Sequence, residues 1–263
     1  MIQTAKDKLI IALDVETADR ALILFDSLKD SAGMFKIGMQ LFTAAGPEIV
    51  KQIIKRGGRV FLDLKYHDIP NTVAAAGVEA TRLGVSIFNI HAIGGVEMMK
   101  RTAAAVAETA SRERLARPAV IAVTVLTSLD SEALDQVGIQ REPRSLVKRL
   151  ARAAFESGLD GMVASPQEIE IIRHEVEALR FIVVTPGIRP RGASSDDQRR
   201  TTTPAEAIRA GADYIVIGRP VLNAPDPVNS AREVMAEIDS VISSRQSPGS
   251  SRNSAEPLPG QSV

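Results

Sequence analysis

Side chains capable of acid–base and electrostatic chemistry are concentrated in residues 61–72, which read Phe-Leu-Asp-Leu-Lys-Tyr-His-Asp-Ile-Pro-Asn-Thr. The segment begins as an apolar strand and then places Asp63, Lys65 and Asp68 within six positions. Because side chains alternate faces along a strand, Asp63 and Lys65 are predicted to point to the same side. Asp68 follows the predicted strand end, where Pro70 stops further pairing. Such charges are costly to bury unless each is paired, so the segment is predicted to be a site that uses them.

Composition argues against several kinds of site. The chain has 263 residues, with 32 basic and 32 acidic side chains, so its formal net charge of zero indicates no nucleic-acid partner. The absence of cysteine leaves no disulfide, thiolate nucleophile or cysteine-based metal site. The N-terminus lacks the apolar core of a signal peptide, and no apolar run approaches the ~20 residues of a membrane span. We therefore expect a cytoplasmic protein without a membrane partner.

Short apolar runs alternate with longer stretches of helical periodicity. The predicted strands are Lys8–Asp14, Met34–Ile37, Arg59–Lys65, Ser86–His91, Ala119–Leu126, Gly161–Ala164, Phe181–Thr185 and Tyr214–Ile217. The predicted helices are Thr17–Lys29, Pro47–Lys55, Thr72–Leu83, Gly95–Thr109, Pro143–Ser157, Pro166–Val176, Pro204–Ala210 and Asp226–Ile242. Near-continuous apolar strands are typical of parallel strands that are buried on both faces.

Eight strand–helix repeats predict an α/β fold, a closed (β/α)8 TIM barrel that forms a single catalytic domain over residues 1–242. The alternative is an open doubly wound sheet, but no Gly-x-Gly-x-x-Gly motif follows the first predicted strand. Residues 243–263 are rich in Ser, Pro and Gly, and they are predicted to be a disordered tail outside the fold.

Polar residues are predicted at the carboxyl ends of the strands, where a barrel of this kind has its active site. In chain order they are Asp14, Lys36, Asp63, Lys65, His91, Thr127, Arg189, Gly218 and Arg219. We expect this distribution to be one-sided, because a random scatter of surface charges would also decorate the opposite strand ends. Each of these residues also has a structural interpretation. Asp14 could cap the following helix, and Lys36 could extend from the barrel mouth to solvent. Asp63 and Lys65 could equally form a structural ion pair, and His91 could be a structural histidine.

A second polar region follows the seventh and eighth predicted strands. A long Gly-containing loop extends from Thr185 to Arg200, and loops of this length in compact barrels are often lids or binding loops. After the last strand, Gly218 lets the backbone approach an anion, and Arg219 offers a fork of donors for phosphate oxygens. These two loops frequently form a phosphate site in this fold, so a phosphate ligand is predicted there. The alternative is an ordinary solvated loop.

These segments together resemble the orotidine 5′-phosphate decarboxylase family. The run from Asp63 to Thr72 looks like the signature of that family. Further blocks agree with it in order and spacing: Ile11–Asp14, Phe35–Gly38, Val123–Ser128, Thr185–Arg189 through Gln198–Arg200, and Gly218–Pro220. The resemblance extends from about Lys8 to Ile242.

The resemblance implies conversion of orotidine 5′-phosphate to uridine 5′-phosphate in de novo pyrimidine biosynthesis, with no metal and no organic cofactor. It implies a charge network of Lys36, Asp63, Lys65 and Asp68, in which Lys65 protonates C6 of the pyrimidine. It also implies a homodimer with shared active sites, where Asp68 and Thr72 enter the site of the neighbouring subunit.

The resemblance further implies which residues bind each part of a nucleotide substrate. Asp14 is expected to hold the ribose hydroxyls, and Thr127 is expected to contact the base. The remaining substrate-binding residues, which are expected to hold the phosphate and help to close the loop, are Arg189, Gln198, Gly218 and Arg219.

Two other functions remain open. The Asp-x-Lys-x-x-Asp core is shared with related sugar-phosphate barrels, so a metal-dependent aldolase or decarboxylase is one alternative, with the carboxylates helping to hold a divalent ion. Lys36 and Lys65 on either side of Asp63 argue against a tight cation site. The other alternative is a non-catalytic protein that binds a phosphate ligand.

Overall fold

Eight parallel strands close into a barrel in the computed structural model, which describes residues 4–126, 129–140, 142–178, 180–190 and 202–246. The strands β1 to β8 are Leu9–Ala12, Met34–Gly38, Val60–Tyr66, Ile87–His91, Ala119–Val123, Gly161–Val163, Ile182–Thr185 and Tyr214–Ile217. Each strand pairs with the next, and β8 pairs with β1. The predicted barrel is confirmed, and the open-sheet alternative is wrong because the sheet closes on itself, with β8 paired to β7 on one side and to β1 on the other.

Helices surround the barrel. Helices α1 to α12 are Ala5–Lys8, Ala18–Leu28, Met39–Ala45, Glu48–Lys55, Pro70–Leu83, Val96–Glu113, Ser131–Gln136, Pro143–Glu156, Ile169–Glu175, Pro204–Ala210, Arg219–Leu222 and Pro227–Gln246. Short 3-10 turns cover Ala92–Gly94 and Pro166–Glu168. Each predicted helix is present. Helix α10 has the predicted bounds, and the ends of the others differ by up to four residues. Helices α1, α3, α7 and α11, which have four to seven residues, were not predicted.

The strands are buried on both faces, and the faces differ in role. Side chains such as Met34 of β2 and Phe61 of β3 fill the barrel interior. Their neighbours in sequence, such as Phe35 and Leu62, pack outward against the helices. Because successive side chains alternate, the next inward position on β2 is Lys36. Inward-pointing charges therefore lie one layer above the apolar interior, at the carboxyl mouth of the barrel.

Charged residues also lie at the opposite end of the barrel, so the expectation of a one-sided distribution is wrong. The Asp160 carboxylate accepts a hydrogen bond from the backbone N–H of Val120 at 2.8 Å, and Arg117 pairs with Asp160. Asp213 accepts the backbone N–H of Val183 at 2.8 Å. These carboxylates lie just before strands and bind backbone donors of the neighbouring strand. Their burial cost is met by local hydrogen bonds, which is a structural use of charge.

The last helix extends beyond its predicted end. Helix α12 continues to Gln246, so the prediction that the tail begins at residue 243 is wrong for residues 243–246. The buried side chains of Ile238 and Val241 anchor this part of the helix to the core. Residues 247–263 of the predicted tail lie outside the described residues. Among the helices that the structure describes, none is long and apolar enough to cross a bilayer.

Candidate active site

Two adjacent strands supply the charges at the barrel mouth. Strands β2 and β3 are paired in parallel, with Lys36 opposite Phe61 and Gly38 opposite Asp63. Lys36 and Asp63 both point inward and both are only 9% exposed. The register therefore fixes an ammonium group and a carboxylate side by side at the carboxyl ends of two neighbouring strands.

Four side chains form a row of alternating charge. Lys36 Nζ lies 2.9 Å from Asp14 Oδ1 and 3.3 Å from Asp63 Oδ2. On the far side of that carboxylate, Lys65 Nζ donates to Asp63 Oδ1 at 2.7 Å. The prediction that Asp63 and Lys65 point to the same side is confirmed. Asp14 at one end of the row is exposed, whereas Lys36 and Asp63 in the middle are buried. These two buried charges can be maintained because each has opposite charges beside it.

The row keeps its buried members ionised. Burial on its own lowers the pKa of Lys36, but the carboxylates of Asp63 and Asp14 outweigh it and raise this pKa above its ordinary value of 10.5. Burial on its own raises the pKa of Asp63, but the ammonium groups of Lys36 and Lys65 and hydrogen bonds from Lys65 and Asn89 lower it below 3.8. Around neutral pH Lys36 and Asp63 therefore both carry a full charge despite their burial.

The backbone around Lys65 departs from a regular strand. Lys65 has a φ of 52°, in the left-handed region that residues other than glycine rarely adopt. The pairing of β3 with β4 shifts register in the same place, between Leu62 and Tyr66. A strained conformation of this kind persists only where the surroundings determine it, and it is typical of functional sites.

Asn89 on β4 is a member of the site that the sequence analysis missed. Its side chain is fully buried, accepts the backbone N–H of Lys65 at 2.8 Å, and donates to Asp63 Oδ1 at 2.7 Å. The available signal was an amide within the apolar run Ile87–Ile90, because a buried amide must find hydrogen-bond partners. Gly38 was also not singled out: a Cβ there would lie 3.0 Å from Lys36 Nζ and 3.1 Å from Asp14 Oδ1.

The two residues predicted to enter a neighbouring subunit's site lie apart from the row. Asp68 is exposed, and its Oδ1 accepts the backbone N–H of the next residue, Ile69, at 2.6 Å. Within the part of the chain that the structure describes, Asp68 makes no salt bridge. Thr72 is exposed in the first turn of α5. One subunit therefore brings together Asp14, Lys36, Asp63 and Lys65, but it does not add Asp68 or Thr72 to them.

Two arginines follow adjacent strands at the same mouth. Arg189, which follows β7, is 8% exposed, and its Nη2 has no hydrogen-bond partner among the described residues. Arg219 is exposed and begins α11, directly after β8. Between them and the charge row lies Gly218, where a Cβ would be 3.7 Å from Asp14 Oδ2. A buried guanidinium with an unused donor is a place for an anion. Thr127 and Gln198, also predicted to bind substrate, lie outside the described residues.

His91 ends β4, as predicted, beside a second histidine. Its ring centroid lies 5.4 Å from that of His67. Burial, followed by His67 and Lys65, lowers the pKa of His91, so its imidazole is neutral near pH 7. This group therefore adds no positive charge to the charge row.

Comparisons with known proteins agree in pointing to one family. Residues 7–234 match the family model described as Orotidine 5′-phosphate decarboxylase / HUMPS family. Orotidine 5′-phosphate decarboxylase of Moorella thermoacetica is 56% identical over 90% of this chain and 94% of that protein. The enzyme of the same name from Geobacter sulfurreducens is 52% identical over 89% of this chain and 97% of that protein.

Solved structures give the same result. The crystal structure of orotidine 5′-phosphate decarboxylase from Lactobacillus acidophilus has a TM-score of 0.77 and 32% identity, covering 88% of this chain and 98% of that one. An uncharacterized conserved protein from Geobacillus kaustophilus has a TM-score of 0.76 and 35% identity, covering 88% and 99% of the two chains.

The lowered pKa of Asp63 predicts a specific acid sensitivity of folding. A depressed carboxyl pKa adds stability that is complete above the unfolded value of 3.8 and is lost as the pH falls through the lower folded value. The unfolding free energy of the wild type should therefore fall more steeply below pH 3.8 than that of Asp63→Asn. Urea denaturation over a pH series measures both slopes.

The control for this comparison is Asp239→Asn, at an exposed position on α12, which should keep the wild-type slope. Equal slopes for the wild type and Asp63→Asn would contradict the coupling of Asp63 to Lys36 and Lys65.

Proposed function

The chain belongs to the orotidine 5′-phosphate decarboxylase / HUMPS family, and from this premise we propose that it decarboxylates orotidine 5′-phosphate with Lys65 as the proton donor. Its activity is that of a carboxy-lyase of UMP biosynthesis, the activity by which relatives of 50–56% identity are named. The observation that carries the mechanism is the charge row, in which a buried carboxylate holds the Lys65 ammonium at 2.7 Å.

The proposed chemistry breaks one bond and forms another at C6 of the pyrimidine. The C6–carboxylate bond breaks, carbon dioxide leaves, and the electron pair remains on C6. The Lys65 ammonium first stabilises the developing negative charge and then transfers a proton to C6. No metal or organic cofactor takes part in this scheme. Only the excess interaction of Lys65 with the transition state accelerates the reaction, since a cation also favours binding of the substrate anion.

We assign Asp63 a positioning role in this scheme. Its Oδ1 is held by Lys65 and Asn89 and its Oδ2 by Lys36, so the carboxylate cannot turn without breaking contacts. Both oxygens already bind donors, and two of those donors are cations. This arrangement disfavours the metal-dependent alternative, because a divalent ion at Asp63 would displace an ammonium group or face its repulsion.

We propose that contacts with the 5′-phosphate of the substrate supply binding energy. Arg189 and Arg219 follow β7 and β8, where this fold frequently binds phosphate, and Gly218 lets the backbone approach it. Phosphate binding can be used to close the site and exclude water from the reacting carbon. In the same proposal Gln198 joins the phosphate contacts. Asp14 binds the ribose hydroxyls and Thr127 the base.

We also propose a homodimer with shared sites. Asp68 and Thr72 are exposed in one subunit, as they must be to enter another subunit's site. Large apolar side chains are also exposed in the segments that follow β2 to β5, on the same rim of the barrel: Met39, Ile69, Ile93, Val96 and Leu126. Apolar side chains gathered in this way are typical of a protein interface. The cytoplasmic location stays a prediction from the sequence.

Removing the proposed acid tests the mechanism directly. Lys65→Ala should lower kcat by roughly 10⁴-fold or more, because it removes both an acid and an electrostatic stabiliser. Binding of uridine 5′-phosphate should survive. The assays are loss of orotidine 5′-phosphate absorbance in chelator-treated buffer and calorimetry with the product. Lys51→Ala, at an exposed position on α4, is the control. Substantial turnover by Lys65→Ala would remove Lys65 from the acid role.

The phosphate assignment predicts an effect that depends on the substrate. Arg189→Ala and Arg219→Ala should each lower kcat/KM for orotidine 5′-phosphate by about 10- to 10²-fold, since each removes charge-assisted hydrogen bonds. With orotidine, which lacks the phosphate, each variant should have a kcat/KM close to that of the wild type with the same substrate. Arg20→Ala, at an exposed position on α2, should behave as wild type with both substrates. Equal losses for both substrates would contradict the assignment.

Subunit mixing tests the shared site. If Lys65 and Asp68 serve different sites, a heterodimer of Lys65→Ala and Asp68→Ala subunits has one site with neither change. Random reassembly of the two inactive variants should then restore about a quarter of wild-type activity, as two-fold symmetry requires. Mixing Lys65→Ala with Asp63→Asn is the matched control, because both residues serve their own subunit and every site stays defective. No recovery in the first mixture would contradict the shared site.

A further inference from the structure

We propose that Asn89 is a positioning residue that aims Lys65, because its amide fixes the backbone of Lys65 and the carboxylate of Asp63 at the same time. This inference rests on the proposed role of Lys65 as proton donor. It assigns a function to a neutral residue on β4, outside the row of alternating charge.

The strand pairing shows why the Lys65 backbone needs a side-chain partner. Leu62 pairs with Phe88 and Tyr66 with Ile90, so four steps along β3 match only two along β4. The extra residues of β3 include Lys65, which takes a φ of 52° there. The Asn89 side chain accepts the Lys65 N–H where the regular ladder is interrupted. Without this bond the partly buried N–H of Lys65 would lose its partner, in a backbone conformation that already costs free energy.

The other half of the amide fixes the acceptor of the Lys65 ammonium. Asn89 Nδ2 and Lys65 Nζ both donate to Asp63 Oδ1, each at 2.7 Å. The orientation of the amide follows from its partners, because the atom facing the Lys65 N–H must be the oxygen and the atom facing the carboxylate must be the NH₂ group. One neutral group therefore contacts Lys65 at its backbone and also fixes the carboxylate that binds its ammonium group.

Most other side chains of this size cannot make both hydrogen bonds of the amide. Leucine supplies neither the acceptor nor the donor. An ionised aspartate supplies the acceptor, but it places a second negative charge against Asp63 and offers no donor. A protonated aspartate, by contrast, again offers one acceptor and one donor. In the Asn89→Asp variant, a low pH should therefore favour the protonated form, which can make both hydrogen bonds, over the ionised form, which cannot.

The experiment compares Asn89→Leu and Asn89→Asp with the wild type and with Thr102→Val. Thr102 on α6 is also fully buried, and its hydroxyl binds the Met98 carbonyl at 2.8 Å, so this control removes a buried hydrogen bond away from the site. All variants are first compared by circular dichroism and urea unfolding. The kcat and KM for orotidine 5′-phosphate, the affinity for uridine 5′-phosphate and the pH profile are then measured.

The expected result is a loss in kcat with little change in binding. Asn89→Leu should lower kcat by about 10²-fold, since a misplacement of about 1 Å can cost that much, while KM and product affinity change by less than about threefold. For Asn89→Asp, the ratio of its kcat to the wild-type kcat should rise as the pH is lowered, because protonation restores the donor. Thr102→Val should keep the wild-type kcat.

Three results would overturn the inference, and the first two concern the role of Asn89 alone. If the wild type turns over substrate and Asn89→Leu has the same kcat, or differs from it in KM alone, the role of Asn89 is overturned but the proposed function is not. If Asn89→Leu does not fold, a pH-independent kcat ratio for Asn89→Asp overturns that role in the same way. Absence of turnover by the wild-type chain overturns the proposed function and the role of Asn89 with it.

Discussion

Burial of the Asp63 carboxylate is the constraint on which the rest of the site depends. Isolated at this depth, the carboxylate would take up a proton and lose its charge. Lys36 and Lys65 reverse this tendency, and the Asn89 amide adds a neutral donor. Lys36 in turn stays ionised because Asp14 and Asp63 accept from it. The four charges and the amide are coupled, because the two buried charges, Lys36 and Asp63, each rely on more than one partner in the group.

The barrel supplies this unit through simple geometry. Inward positions of β2 and β3 alternate with positions that pack against the helices, so an apolar interior layer holding Met34 and Phe61 supports the charged layer above it. The parallel register then places Lys36 beside Asp63. Charges at the other end of the barrel, such as Asp160 and Asp213, bind backbone donors instead. The same residue types therefore support the fold at one end and a reactive site at the other.

Sequence periodicity was enough to predict the barrel, because buried parallel strands are apolar throughout and helices repeat with a different period. Strand β8 and helix α10 have the predicted bounds. Asn89 was missed because its partners lie 24 and 26 positions away, across a strand pairing that sequence spacing does not reveal. The left-handed Lys65 could not be predicted either, since the register shift that produces it belongs to the pairing of two strands. The exposed Asp68 acquires a role only if a second subunit is present.

The strained backbone at Lys65 depends on the same contacts that hold its side chain. A residue other than glycine remains in the left-handed region only when neighbouring groups determine its conformation. Here the determining groups are the same ones that hold the ammonium: Asn89 binds the backbone and Asp63 binds the side chain. In the proposed mechanism, the Lys65 ammonium is already held by these contacts before the substrate binds, so binding energy from the phosphate need not be used to organise it. In the proposed mechanism, that energy is available for closing the site over the negative charge that develops at C6.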